Sequence, residues 1–183
     1  MRIEELKKQP AVITAPPRAS APVTECDRLA ASSVDHTAVA QGVDFEHIDH
    51  VGAVPACEAA VAKYPGVARL SFQLGRSQHA KGDYERASFE YSKAIELDPK
   101  FAATYYVRGL VYSAKKDYEH AIADYSMAIE LDPKFGAAYH SRGLVWEMRG
   151  DQQRAIVEYR QALAINPEDK NASAALRRLG ARP

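Results

Sequence analysis

One pattern of residues occurs three times between Ala68 and Pro167, each copy 34 residues after the previous one. Six columns of the pattern hold the same residue type in every copy. They are Gly75, Gly109 and Gly143; Asp83, Asp117 and Asp151; Ala87, Ala121 and Ala155; Tyr91, Tyr125 and Tyr159; Ala94, Ala128 and Ala162; and Pro99, Pro133 and Pro167. A fixed period of this length indicates a solenoid, in which similar units stack in series.

Each copy predicts two helices, which we name A and B. In the first copy, helix A is expected over residues 68–81 and helix B over residues 84–97. The aspartate of the pattern stands where a carboxylate accepts the free amides at the start of helix B. The proline ends helix B because it cannot continue the hydrogen-bond ladder. The glycine in each A helix predicts a close approach of two helix backbones, with the small alanines at 87, 121 and 155 as the opposite surface.

The pattern resembles the signature of the tetratricopeptide repeat family, which is Trp-x2-Leu-Gly-x2-Tyr, then Ala-x3-Phe, then Pro. This resemblance covers about half of the chain and implies an all-α fold, a right-handed α-solenoid of helix-turn-helix repeats. The chain departs from the signature in places. The leucine before the glycine is present as Leu74 but is replaced by Arg108 and Arg142, and Lys116 stands where a turn glycine is usual.

Four segments follow from this pattern. They are a Pro-rich tail or linker at residues 1–23, a degenerate N-terminal capping unit at 24–65, three repeats at 66–167 (66–99, 100–133 and 134–167), and a C-terminal capping helix at 168–183. The tail is predicted to be disordered because prolines at that density deny the backbone helical angles and donors. A stack of repeats needs solvated ends, which the two capping segments would supply.

Two helices are predicted in the capping unit. Thr24 is placed to cap a short helix that carries Cys26. A second helix carries Cys57 on an apolar stripe with spacings of three and four residues, and Pro55 suits its first turn. Subtracting one period puts Pro65 on the proline column, which indicates a degenerate repeat. The unit also weakly resembles segments that precede the repeats in bacterial tetratricopeptide and Sel1-like proteins.

In this family the A helices line a concave groove along which partner peptides lie. Carried over column by column, the resemblance predicts a peptide-binding groove of ten side chains. They are Phe72, Arg76, His79, Tyr106, Leu110, Ser113, His140, Leu144, Glu147 and Met148. Three A helices about 8–10 Å apart would seat on the order of six extended residues. The alternative is that several of these side chains pack against neighbouring helices. If the groove binds, Tyr106→Ala combined with Leu144→Ala abolishes binding and leaves helicity unchanged.

Two further sets of equivalent positions indicate which kinds of partner the groove could bind. Chaperone-binding members of the family grip a terminal carboxylate with Lys and Asn, but the matching positions here include Phe72, Arg76 and Leu110, which argues against such a tail. Arg108 and Arg142 recur one period apart. They either project towards an acidic partner or bond to a neighbouring helix, and we favour the second interpretation.

The two cysteines, Cys26 and Cys57, both fall in the capping unit. They either form a disulfide, which closes a loop of about 30 residues and stabilises the cap, or remain buried thiols that behave as small apolar residues. With His36, His47 and His50 they also raise the possibility of zinc, but their spacing matches no compact ligand pattern. We predict no metal and no cofactor.

Composition narrows the partners and the compartment. The chain has 24 basic and 24 acidic residues, so no net field favours nucleic acid. No apolar run approaches the roughly 20 residues that cross a bilayer, so no membrane insertion is expected. The first residues show no signal peptide, which favours the cytoplasm. A periplasmic or secreted location is the alternative, if Met1 is not the true start and the cysteines are bonded.

The function that this resemblance implies is a protein-interaction module or scaffold that binds a short segment of a protein partner. No nucleophile–base arrangement or phosphate loop is visible, so the chain is predicted not to be an enzyme. Two alternatives stay open. The solenoid is a regulatory or accessory part of a larger bacterial enzyme, or it stacks through its ends into a structural homo-oligomer, and the sequence does not fix the oligomeric state.

Overall fold

The computed structural model describes residues 21–30 and 47–182, and within these ranges every regular element is a helix. The helices are α1 Glu25–Ala30, α2 His50–Lys63, α3 Ala68–Lys81, α4 Tyr84–Leu97, α5 Ala102–Ala114, α6 Tyr118–Leu131, α7 Gly136–Met148, α8 Gln152–Ile165 and α9 Lys170–Arg178. Consecutive helices contact each other along the chain, so helical hairpins stack in series as an α-solenoid. Nearly all of the predicted Pro-rich tail lies outside the described residues, and so does His36.

The predicted helix bounds of the first copy are confirmed, because α3 and α4 begin and end where the pattern places them. The second repeat consists of α5 and α6, and the third of α7 and α8. The capping role of the aspartates is confirmed as well. Asp83 accepts a hydrogen bond from the Arg86 amide at 3.2 Å, and the two equivalent aspartates do the same in their repeats.

The glycines of the A helices lie against tyrosine rings of the same repeat, not against the alanines that the sequence suggested. A Cβ atom at Gly75 would lie 2.6 Å from the ring of Tyr91, and one at Gly109 would lie 2.7 Å from the ring of Tyr125. The reason is that the tyrosine of helix B places its ring directly beside the glycine of helix A in the same repeat. The close approach is therefore real, but its partner is a side chain and not a second backbone.

The turn from helix A to helix B has the same geometry in all three repeats. Gly82 and Gly150 adopt the left-handed conformation, with φ values of 84° and 83°. Lys116 occupies the same place with φ of 62°. Its amide donates to the Ser113 carbonyl, as the Gly82 amide donates to the His79 carbonyl. The chain thus keeps the turn in the second repeat even where the residue is not glycine.

The capping unit packs on α3 through small side chains. Cys26 and Ala30 from α1 and Ala53 and Cys57 from α2 are fully buried in one cluster, which also contains Leu70. Cys26 and Cys57 are joined by a disulfide bond, with Cα atoms 4.5 Å apart. The N-terminal unit is thereby fastened to itself as well as to the first repeat.

The prediction that Pro55 lies in the first turn of α2 was wrong. The helix starts earlier, at His50, because the Asp49 side chain accepts a hydrogen bond from the Val51 amide. Pro55 therefore lies inside the helix, where it has no amide to donate to the carbonyl four residues earlier. The cap on the start of the helix outweighs the tendency of proline to take the first position.

The opposite end of the stack is covered by α9. Ala172, Ala175 and Leu176 are buried against α8, in a cluster with Tyr159 and Ala162. Gly180 follows with φ of 70°. Within the described part of the chain, no helix combines the length and the apolar character that a membrane span requires.

Candidate functional site

Two of the three groove residues predicted in the first repeat are buried, so they do not line an open surface. Phe72 is 1% exposed, and its ring packs against Tyr91 at 5.9 Å and Phe101 at 5.4 Å. Arg76 is 5% exposed, and its Nη1 donates to the Ala30 carbonyl at 2.7 Å. Neither side chain is accessible to a partner in this structure, in contrast to the open groove that the sequence predicted. Phe72 packs at the boundary between the first and second repeats. Arg76 lies beneath the N-terminal segment, where it binds Ala30.

His79, the third predicted residue of the first repeat, is half-buried near the end of α3. Its ring lies 5.6 Å from the ring of Tyr84 in an edge-on arrangement. Burial lowers the pKa of His79 to about 4, because the charged ring would lose its hydration. His79 is therefore neutral at pH 7.

Residues 21–30 cover the face of α3 that also carries Arg69. The Arg69 Nε donates to the Asp27 carboxylate at 3.0 Å, and its Nη2 donates to the carbonyls of Ala21 and Pro22 at 2.9 and 3.1 Å. Burial acts to raise the pKa of Asp27, but hydrogen bonds from Arg69 and Thr24 outweigh it, so this pKa lies below its usual value. Asp27 is thus a buried anion held by Arg69.

Sequence reasoning missed the pair of Arg69 and Asp27. The two residues are 42 positions apart, and Asp27 belongs to a segment without a counterpart in the repeats. Comparing equivalent positions of the three repeats therefore gives no indication of this contact. An acidic residue in the middle of the short N-terminal helix was the only available hint.

The second and third repeats keep an open apolar surface, which we name the α5–α7 strip. It consists of Tyr106, Leu110, Leu144 and Met148. Leu144 is 37% exposed and Met148 is 53% exposed. Within each helix these residues are four positions apart and share one helix face, and α5 contacts α7.

The strip has a rigid base. The half-buried Tyr106 ring lies 4.8 Å from the ring of Phe135 and 5.9 Å from the ring of Tyr125. Leu110 packs on the buried cluster that contains Tyr125 and Val145. Because these anchors sit on buried neighbours, the exposed part of the strip is held in place before any ligand arrives.

The remaining predicted groove residues are engaged with their own protein. Glu147 accepts hydrogen bonds from Arg178 and from the Tyr159 hydroxyl, each at 2.8 Å. The hydrogen bonds from Arg178 lower the pKa of Glu147. The Ser113 side chain faces the Tyr125 hydroxyl, where it acts to lower the pKa of Tyr125 against the larger effect of burial. The negative charge of Glu147 is therefore compensated within the fold.

His140 is the equivalent in the third repeat of Phe72 and Tyr106. Like them it packs on the tyrosine of its own repeat, but its second neighbour is a carboxylate and not a phenylalanine. Its ring lies 5.4 Å from the ring of Tyr159. Its Nδ1 lies 3.6 Å from the Asp169 carboxylate, where the earlier repeats have Phe101 and Phe135. Asp169 also caps α9 by accepting hydrogen bonds from two of its amides. His140 thus lies beside the junction between the last repeat and the terminal helix.

The favoured interpretation of Arg108 and Arg142 is confirmed. Arg108 donates to both oxygens of Asp124 at 2.7 and 2.8 Å, and Arg142 donates to Glu158 at 2.9 Å. Both arginines bind a neighbouring helix. What remains on the α5–α7 strip is accordingly an apolar surface.

Metal-binding groups do not come together in the part of the chain that the structure describes. No cluster of three or more His, Cys, Asp or Glu side chains suited to an ion occurs there. Both sulfurs are used in the disulfide.

Three family models match the repeat region. They are described as tetratricopeptide repeat for residues 102–135, TPR repeat for residues 75–116 and tetratricopeptide repeat for residues 136–169. A comparison with curated proteins gave no significant match.

Solved structures with the same architecture are numerous. The crystal structure of MamA matches with a TM-score of 0.66 and 25% identity over 73% of this chain and 81% of that chain. The Arabidopsis OM64 TPR domain matches with a TM-score of 0.60 and 26% identity, over 62% and 93% of the two chains.

A third structure, the first TPR of Spaghetti (RPAP3) bound to the HSP90 peptide SRMEEVD, has 24% identity and a TM-score of 0.60, over 62% and 90% of the two chains. At that identity the similarity concerns the fold alone.

Proposed function

Because this chain belongs to the tetratricopeptide repeat family, we propose that it is a protein-interaction module that binds a short apolar segment of a partner on the α5–α7 strip. Repeats of this family generally serve binding and not catalysis, and we assign no catalytic role to the chain. The observation that carries the proposal is the exposure of Leu144 and Met148 beside the firmly seated Tyr106.

The chemistry of the strip favours an uncharged, apolar segment. Glu147 is neutralised by Arg178, and Arg108 and Arg142 are paired with carboxylates of their own repeats. Burying apolar area is then the main source of affinity, at about 25 cal/mol per Å² removed from water. A charged peptide would lose hydration without gaining a partner.

The size of the strip limits the segment to a few residues. Two A helices about 8–10 Å apart offer room for on the order of three extended residues, fewer than three open A helices would allow. Such a short contact predicts micromolar affinity or weaker, because the entropy lost on association offsets much of the free energy gained by burying apolar surface.

The test is a selection from a random heptapeptide phage library on the intact chain, followed by fluorescence anisotropy of a selected peptide. Leu144→Asp combined with Met148→Asp is expected to weaken binding at least tenfold. Both side chains are exposed, so helicity by circular dichroism should not change.

The matched control changes two equally exposed apolar residues of B helices, Phe89→Asp with Val157→Asp, which are 59% and 56% exposed. This control should bind like the unmodified chain. Failure to enrich any peptide, or equal affinity in the strip variant, would overturn the proposal.

A further inference from the structure

We propose that residues 21–30 are an internal ligand of the first repeat, tethered by the Cys26–Cys57 disulfide, and that reduction of this bond uncovers a second binding surface on α3 for a peptide with an acidic side chain. This surface is separate from the α5–α7 strip. The proposal therefore goes beyond the function proposed above and can stand or fall without it.

Two arginines on α3 hold the two ends of the covering segment. Arg69 and Arg76 are seven residues apart, which is two helical turns, so both project from one face of α3. Arg69 binds the carbonyls of Ala21 and Pro22 at the start of the segment, and Arg76 binds the carbonyl of Ala30 at its end. Backbone carbonyls occur in every peptide, so these contacts do not depend on this particular segment.

The one side-chain contact that selects a sequence is acidic. The Asp27 carboxylate pairs with Arg69 at 3.0 Å, and their side chains are 0% and 10% exposed. An arginine presents a planar fork that suits a carboxylate and adjoining carbonyls together. A foreign peptide with an Asp or Glu residue therefore carries the chemistry that this face of α3 already recognises.

The covering helix contributes little to the core that holds it. From α1 only the small side chains of Cys26 and Ala30 enter the cluster fully, and Leu29 packs at its margin. By contrast, α2 contacts α3 directly and keeps Ala53 and Ala60 in the same cluster. The unit can therefore lose α1 and keep α2 in place.

The disulfide bond holds α1 on α3, which the short helix could not do by its own stability. A helix of six residues is not stable alone, and the bond joins it to α2 across 31 positions of the chain. Such a tether raises the effective concentration of α1 at α3. Without it, α1 competes with an external peptide on far less favourable terms.

The chemical step is a thiol–disulfide exchange with a dithiol. Both sulfurs are buried in the closed cap, so the attack requires a transient local opening of α1. One thiolate of the dithiol then attacks a sulfur of the Cys26–Cys57 bond, and the second thiolate displaces the protein from the mixed disulfide. The dithiol gives up two electrons and becomes a cyclic disulfide, and Cys26 and Cys57 each end as a thiol after taking up a proton.

The first test is hydrogen exchange of the full chain with mass spectrometry, before and after reduction by dithiothreitol. Peptides from residues 25–30 are expected to exchange at least tenfold faster after reduction, while peptides from α2 and from α4–α9 keep their protection. Unchanged protection of α1 would overturn the proposal. Equal loss of protection in α2 would overturn it too, since the bond would then only hold the cap together.

The second test uses a fluorescein-labelled peptide of residues 21–30 with serine at position 26, added to the intact oxidised or reduced chain. The reduced chain should bind it at least tenfold more tightly, and Asp27→Asn in the peptide should weaken binding about tenfold. Arg69→Gln in the reduced chain should also weaken peptide binding about tenfold. Arg86→Gln, at an exposed arginine of α4, should leave the affinity unchanged. Equal affinity of oxidised and reduced chains, or indifference to Asp27→Asn, would refute the proposal.

Discussion

Arg108 and Asp124 form a two-point ion pair, with Nη2 to Oδ1 at 2.7 Å and Nε to Oδ2 at 2.8 Å. The remaining arm of Arg108 donates to the Ser92 hydroxyl of the preceding repeat at 2.9 Å. Arg142 contacts the matching residues Ser126 and Glu158, but through Nη1 and Nη2 alone. A pair within one repeat thus also fastens that repeat to the one before it.

Arg108→Met should lower the free energy of unfolding by about 3 kcal/mol, measured by urea denaturation. The variant leaves the Asp124 side chain, which is 6% exposed, without its cation, and removing one partner of a buried pair is strongly destabilising. The double variant Arg108→Met/Asp124→Leu should recover most of the loss because no charge is left buried. A double variant as unstable as the sum of the single variants would contradict this account.

The features that could be predicted from the sequence are those that recur in every repeat. The bounds of α3 and α4 follow from local signals, a capping aspartate and a terminal proline, that recur in every copy. The contact between Arg108 and Asp124 spans 16 residues and recurs at Arg142, so a periodic sequence makes such a contact readable.

Contacts without a periodic counterpart could not be read. The burial of Arg76 depends on Ala30, which lies 46 positions earlier in a segment outside the repeats. Phe72 was placed on the groove because its column faces the partner in the family, although here it packs on Phe101. The columns therefore predicted the exposure of Leu144 and Met148 in the third repeat, but not the burial of Phe72 and Arg76 in the first.

Gly109→Ala should destabilise the protein by about 1–3 kcal/mol, measured by thermal unfolding. The new Cβ would lie 2.7 Å from Tyr125 Cε1 and 2.9 Å from its Cδ1, so the ring has to move within a packed interface. Gly66→Ala is the control, because nothing lies within 4 Å of its added Cβ. Similar losses in the two variants would show that helix packing at Gly109 is not the cause.

Lys116→Gly should raise the free energy of unfolding by about 1 kcal/mol. Lys116 holds φ at 62°, a conformation that is costly for a residue with a Cβ and easy for glycine. The reverse change at the matching turn, Gly82→Lys, should lower stability by a similar amount, since Gly82 has φ of 84° and open space around it. Chemical denaturation measures both variants, and a loss of stability in Lys116→Gly would be the contrary result.

The repeated tyrosines should respond differently to loss of their hydroxyl groups. Tyr159 donates to Glu147 at 2.8 Å, so Tyr159→Phe is expected to cost about 1 kcal/mol. The Tyr91 hydroxyl is buried without a hydrogen-bond partner among the described residues, so Tyr91→Phe should gain about 1 kcal/mol. Urea midpoints that shift in the same direction for both variants would count against this difference.

His79 should make stability depend on acidity between pH 6.5 and 4. Burial lowers its pKa in the folded chain to about 4 from 6.5, so below pH 6.5 the unfolded chain binds a proton that the folded chain does not. Its contribution is complete above pH 6.5 and is lost as the pH falls towards 4. Because part of the ring meets water, we expect about 1–2 kcal/mol. Urea unfolding at pH 7 and pH 4.5 should show a smaller fall for His79→Gln than for the unmodified chain, whereas equal falls would assign the effect to other groups.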